Sequence, residues 1–169
     1  MELSKAGLIA HNKFRAWHGS PPLIWSKELT EKAEEIATEL TNKETSQLLS
    51  DLPGFEVTGE NIAKIWHGFE TAPLKATEEW YGEVKEYNFQ NPKITDVTKH
   101  FTQMVWKNSK RFGMAAERTR EGQYTIVVAL YDPPGNSKGD LIENVLIPKS
   151  VNDARILEDK DMNIMNPDS

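Results

Sequence analysis

Ile126-Val127-Val128-Ala129-Leu130 narrows the choice of fold more than any other stretch of this chain. A strand with one wet face alternates apolar and polar side chains, whereas a run apolar at every position needs cover on both faces. The pattern predicts a central strand over 123–131, paired with a strand over 111–117. Cover must come from helices, and the chain supplies them. A first helix is expected over 4–18, stopped by Gly19 and Pro21-Pro22. Ser26 caps a second, whose stripe is Leu29, Ala33, Ile36, Ala37 and Leu40. A third should start near Pro73 and bury Leu74, Thr77, Tyr81 and Val84. Loops are expected over 42–58, with Pro53-Gly54 as a turn, and over 88–97. The fold class that follows is α+β, a three-layer α-β-α sandwich around a mainly antiparallel sheet. One domain is expected over 1–149, with an acidic, disordered tail over 150–169.

Composition enters where it excludes. The 169 residues include no cysteine, so the core must hold without disulfides, and no thiolate metal site is possible. A net charge of −6 and a pI of about 5.3 argue against a general nucleic-acid binder. The apolar run at 126–130 is far too short to span a bilayer. The first nineteen positions hold Glu2, Lys5, Lys13 and Arg15, so no signal-peptide core is expected there. A cytosolic or cytosol-facing protein is the expectation, with secretion the alternative if a leader precedes the mature chain.

Four short motifs carry the candidate chemistry. They are Gly59-Glu60-Asn61-Ile62, Trp80-Tyr81-Gly82-Glu83, His100-Phe101-Thr102-Gln103-Met104-Val105-Trp106 and Tyr131-Asp132-Pro133-Pro134-Gly135-Asn136. The third reads as an amphipathic helical turn with Thr98 as its cap and one ionisable group at its start. A lone histidine there is either a hydrogen-bonded structural group or a functional one.

With His11-Asn12, His18-Gly19-Ser20-Pro21-Pro22-Leu23 and Glu143-Asn144-Val145-Leu146, these motifs resemble the CAP superfamily from about His11 to Lys149. The superfamily comprises the cysteine-rich secretory, antigen 5 and pathogenesis-related 1 proteins, and the likeness is nearest to its Golgi-associated branch. The resemblance implies the α-β-α sandwich and a cleft where two histidines and two glutamates converge. Glu60, Glu83 and His100 match three of the four. Leu49 or Ser50 falls where the first histidine belongs, so the tetrad is broken. A single imidazole beside two carboxylates implies a weak Zn2+ or other divalent site, or none, with His67 as a substitute ligand in a minority reading. Ala129 stands where secreted relatives carry a motif cysteine, and Trp66 where a serine nucleophile has been considered. Acyl transfer therefore lacks both nucleophile and base.

The resemblance also implies lipid binding, to sterol, fatty acid or anionic phospholipid. The loop holding Phe89, Pro92 and Ile94 occupies the place associated with sterol contact. Lys99, Lys107, Lys110 and Arg111 form a local basic cluster, with Arg118 and Arg120 on the nearby hairpin; such a patch either touches anionic headgroups or is simply solvated. Glu2 follows Met1, so the branch's myristoyl anchor is not expected here. Among Trp17, Trp25, Trp66, Trp80 and Trp106, most should line the core or groove, and a subset could form a homodimer or partner face. The expected function is non-enzymatic binding of lipid or a membrane surface. The alternatives are a metal-dependent hydrolase using Glu60, Glu83 and His100, and a protein-interaction or immunomodulatory effector.

Overall fold

The computed structural model describes residues 2–42, 59–66 and 68–149. The expected 42–58 loop beyond Asn42, the 150–169 tail, Leu49, Ser50 and His67 lie outside them. The elements run α1 (Glu2–Trp17), β1 (Ile24–Trp25), α2 (Lys27–Asn42), β2 (Gly59–Trp66), α3 (Ala72–Gly82), a 3-10 turn (Glu83–Glu86), α4 (Lys99–Val105), β3 (Arg111–Arg118), β4 (Tyr124–Asp132) and α5 (Leu141–Asn144). No described helix is long and apolar enough to cross a membrane.

The sheet order is β1-β3-β4-β2. β4 is central and antiparallel to both neighbours, and β1 joins β3 in parallel. Every β4 residue from Thr125 to Tyr131 is buried. Ile126, Val128 and Leu130 pack with Leu29, Ala33, Ile36 and Ala37 of α2. Val127, Ala129 and Tyr131 pack with α1, α3 and α4 on the other face. A strand apolar on both sides is thus satisfied by one helix on one side and several on the other.

Local chemistry sets the helices. Ser26 Oγ accepts the Leu29 N–H at 3.1 Å and caps α2 as expected. β3 approaches α2 so closely that a methyl group on Gly113 would meet the backbone of Leu29 and Thr30. α3 corrects one expectation: Leu74 is 37 % exposed. Its buried stripe is Ala72, Pro73, Ala76, Thr77, Trp80 and Tyr81, two rows four residues apart that leave position 74 pointing outward. Val84 is buried, although from the 3-10 turn rather than from α3.

The expected basic cluster and the basic residues of the hairpin lie toward opposite ends of β3. Arg111 and Arg118 begin and end β3, so extension separates them by roughly 23 Å. Arg111 is held by Asp132 and lies 3.9 Å from Glu28, Lys99 lies 3.8 Å from Asp96, and Arg118 sits 4.8 Å over the Phe69 ring.

Candidate functional site

α4 is only seven residues long, too short to be stable alone, so its ends must be satisfied by neighbours. Thr98 occupies the cap position, but its hydroxyl makes no cap bond and meets Thr95 Oγ1 instead. The capping oxygen comes from Glu83 on the 3-10 turn. Its Oε1 accepts the backbone N–H groups of His100 and Phe101, both at 3.0 Å, and its Oε2 accepts His100 Nδ1–H at 2.8 Å. One carboxylate therefore starts the helix and orients the imidazole. His100 lies nearly parallel to Trp80, with ring centroids 6.1 Å apart.

The other end is tied from α1. Arg15 is fully buried, and it donates to the carbonyls of Met104 at 3.0 Å, Trp106 at 2.9 Å, Ser109 at 3.1 Å and Pro21 at 2.9 Å. Ser20 Oγ donates to Val105 O at 2.6 Å. Burial lowers the Arg15 pKa only to about 10, so the guanidinium stays charged at neutral pH. A cation among the last carbonyls of a helix suits the local dipole.

The remaining sides are closed by the fourth motif. Gln103 Oε1 accepts the Gly135 N–H at 2.8 Å, Thr102 Oγ1 donates to Asn136 Oδ1 at 2.6 Å, and the Asn136 amide donates to Lys99 O at 2.9 Å. Gly59 and Gly135 are required here because a side chain at either would run into Gln103.

A buried polar chain joins the first motif to the third. His11 Nδ1–H donates to Gly7 O at 2.8 Å, which leaves Nε2 to accept the Tyr131 hydroxyl proton. The Asn61 amide donates to Tyr131 Oη at 3.2 Å and to His100 O at 3.0 Å. Burial lowers the His11 pKa to about 3. An unfolded chain takes up that proton near pH 6.5 but the folded chain does not, so stability falls as pH drops from about 6.5 to about 3. Glu60, raised by burial, works in the opposite direction. We expect chemical denaturation at pH 5 to give a clearly lower midpoint than at pH 7, and His11→Gln to flatten that difference.

Of the predicted tetrad, the structure brings Glu83 and His100 together. Glu60 makes no hydrogen bond through its buried Oε2, and the Lys99 charge offsets part of the burial that raises its pKa. Among the described residues no three His, Asp or Glu side chains gather as a metal-binding group. Trp66 is 54 % exposed and packs edge-on to Tyr124.

In the loop over 88–97, Asn88 Oδ1 accepts the N–H groups of Gln90 and Asn91. Phe89 and Ile94 turn inward against the main core, and Pro92 is half-buried. Phe89 meets Tyr87 edge-on at 4.7 Å and stacks on His18 at 6.2 Å. Tyr87, also packed on Phe101, has a buried hydroxyl with no hydrogen-bond partner, and burial pushes its pKa up to about 12. Neither Arg15 nor Tyr87 stood out in the sequence. A charged residue among the apolar positions of α1 was the available signal for the first, and nothing local signals the second.

A helical sandwich around a four-stranded sheet, with a glutamate-capped histidine helix at its centre, defines a family. The profile of the cysteine-rich secretory protein (CAP) family matches residues 8–131, and the chain belongs to that family. It is 39 % identical over 146 residues to the human Golgi-associated plant pathogenesis-related protein 1, covering 84 % of this chain and 91 % of that one. It is 35 % identical over 127 residues to pathogenesis-related protein 1 of Arabidopsis thaliana, covering 75 % and 74 %. The structure of Schistosoma mansoni venom allergen-like protein 4 superposes with a TM-score of 0.61 at 27 % identity, covering 89 % and 97 %.

Proposed function

We propose that this CAP domain is a binding protein rather than an enzyme, and that it takes an apolar ligand with one polar group, of the sterol or fatty-acid kind, beneath the loop over 88–97. The observation that carries the reading is the Tyr87 hydroxyl. A buried hydroxyl without a partner costs about 1–3 kcal/mol, so native proteins rarely keep one that nothing ever satisfies. This one lies among Phe89, Phe101 and the core, surroundings that suit an apolar body with a single hydroxyl or carboxyl. Loop displacement would uncover it. Non-enzymatic action is supported by Glu83, whose two oxygens already accept three N–H groups and are poorly placed to act as a general base. The Golgi association in the name of the human relative is in keeping with work near membranes.

Tyr87→Phe removes the unsatisfied hydroxyl. The variant is expected to gain about 1 kcal/mol, or about 2–4 °C in Tm, in the absence of lipid. A lower Tm would mean the hydroxyl has a partner and would remove the ground for this reading.

Metal-dependent chemistry is the second reading, favoured by one feature. Glu83 fixes the Nδ1–H of His100 and leaves Nε2 for a ligand, as carboxylates do behind metal-bound imidazoles. One imidazole nitrogen does not by itself fit a tight zinc site. Calorimetry with Zn2+ is expected to show binding weaker than micromolar, lost in His100→Ala. Micromolar binding by the parent chain would favour the metal reading.

A further inference from the structure

The two-residue β1 leaves most of one sheet edge open. β3 runs from Arg111 to Arg118, but β1 pairs only with Arg111 and Phe112. Two bonds show which backbone groups of β3 turn outward. The Ser26 N–H donates to Phe112 O at 2.7 Å, and the Met114 N–H donates to Ser4 Oγ at 3.3 Å, both on the side away from β4. In an antiparallel ladder the N–H and C=O of one residue point the same way, and the direction alternates along the strand. Ala116 and Arg118 therefore turn their backbone outward as well. Ser4 closes the edge at Met114. Beyond it, among the described residues, no strand or side chain bonds the Ala116 N–H or C=O on that side.

This stretch borders a groove of about 810 Å³ between α1, α2 and β3. Leu3, Ala115 and Ala116 give it an apolar lining. Its rim is acidic. Glu31, Glu35 and Glu39 form one row of α2 at four-residue spacing, with Glu34 beside them. Glu117 lies on the same face of β3 as Ala115, which packs against α2. The helix gains nothing from this row. Like charges four residues apart repel, and Glu39 stands in a last turn without basic residues, where a helix favours cations. Lys27 lies 3.7 Å from Glu31 in an exposed pair, whereas Glu34, Glu35 and Glu117 make no ion pair among the described residues. These acids do not gather three together as a metal group would, so their complement is an extended cation.

We infer that a basic, extended peptide segment of another protein adds to β3 as a strand beside Ala116. Its lysine or arginine side chains meet Glu34, Glu35 and Glu117, and its alternate apolar side chains turn toward Leu3. Main-chain bonds to the free edge supply affinity, and the alternating side chains supply selectivity. A second copy of this chain, paired edge to edge, would bring two acidic rims together, which like charges oppose. The edge is lined by other residues than the loop over 88–97, so peptide binding and lipid binding can fail separately.

The test uses a labelled, end-capped peptide of about eight residues that alternates lysine and valine, with binding read by fluorescence anisotropy at low and high salt. The parent chain is expected to bind it, less tightly at high salt. Glu34→Gln/Glu35→Gln should weaken binding about fivefold and Glu117→Gln about twofold. Backbone methylation separates strand addition from charge attraction. In an added strand the lysine N–H groups all point to one edge and the valine N–H groups to the other. Methylating one of these two sets should weaken binding about tenfold, and methylating the other should leave it unchanged. Equal effects of the two sets would show that the groove reads charge alone and would overturn strand addition. A parent chain that does not bind the peptide, or binding untouched by the glutamate substitutions, would overturn it too.

Discussion

Arg15→Met is expected to lose about 3–5 kcal/mol of stability, a large part of what a domain of this size possesses. The side chain keeps its apolar length and loses only the planar fork. What it leaves behind is four carbonyls, those of Met104, Trp106 and Ser109 in buried surroundings and that of Pro21 at the partly exposed edge. Two of them finish α4, and no other described side chain except Ser20 reaches that end. Arg15→Lys should recover little, because a single ammonium cannot serve acceptors spread across this arc. Urea denaturation measures the effect, and hydrogen exchange should show protection lost first in α4. A loss below about 1 kcal/mol would show that the carbonyls find other donors.

The second large effect concerns Glu83. Glu83→Ala removes an acceptor of three N–H groups and is expected to cost about 2–3 kcal/mol. Glu83→Gln separates capping from orientation. Its amide oxygen can still accept the His100 and Phe101 N–H groups, so most stability should remain. Its amide N–H₂ then faces Nδ1 and can only donate, which drives neutral His100 from the Nδ1–H to the Nε2–H tautomer. Nitrogen-15 shifts of the imidazole read this directly. Loss of stability without a tautomer change would mean that Glu83 caps the helix but does not orient the ring.

These two residues also show where the sequence stops being legible. The apolar run at 126–130 demanded cover on both faces, and the structure places α2 on one side and α1, α3 and α4 on the other. Ser26 and its stripe were equally readable because capping and periodicity are local. β2 was missed because its faces mix types: Asn61, Ala63 and Ile65 on one, Glu60, Ile62 and Lys64 on the other. β1 is two residues long and exists only through β3. The motif helix was recognisable, but not what holds it: Glu83 lies 17 residues before His100, and Arg15 lies 89 before Met104. Thr98 looked like the cap because the rule is local, and a carboxylate delivered by the fold took its place. In the candidate tetrad, residue types marked Glu60, Glu83 and His100 alike, and only the fold distinguishes the capping glutamate from the buried one.

The most direct test of lipid binding is a titration of the parent chain and Tyr87→Phe with a fluorescent sterol, read by energy transfer from the tryptophans. Saturable binding by the parent chain, weakened about 5- to 10-fold when the hydroxyl is removed, is the result expected from one lost buried hydrogen bond. Equal affinity in the two proteins, or no saturable binding by the parent, would contradict a ligand seated on Tyr87 beneath the loop over 88–97.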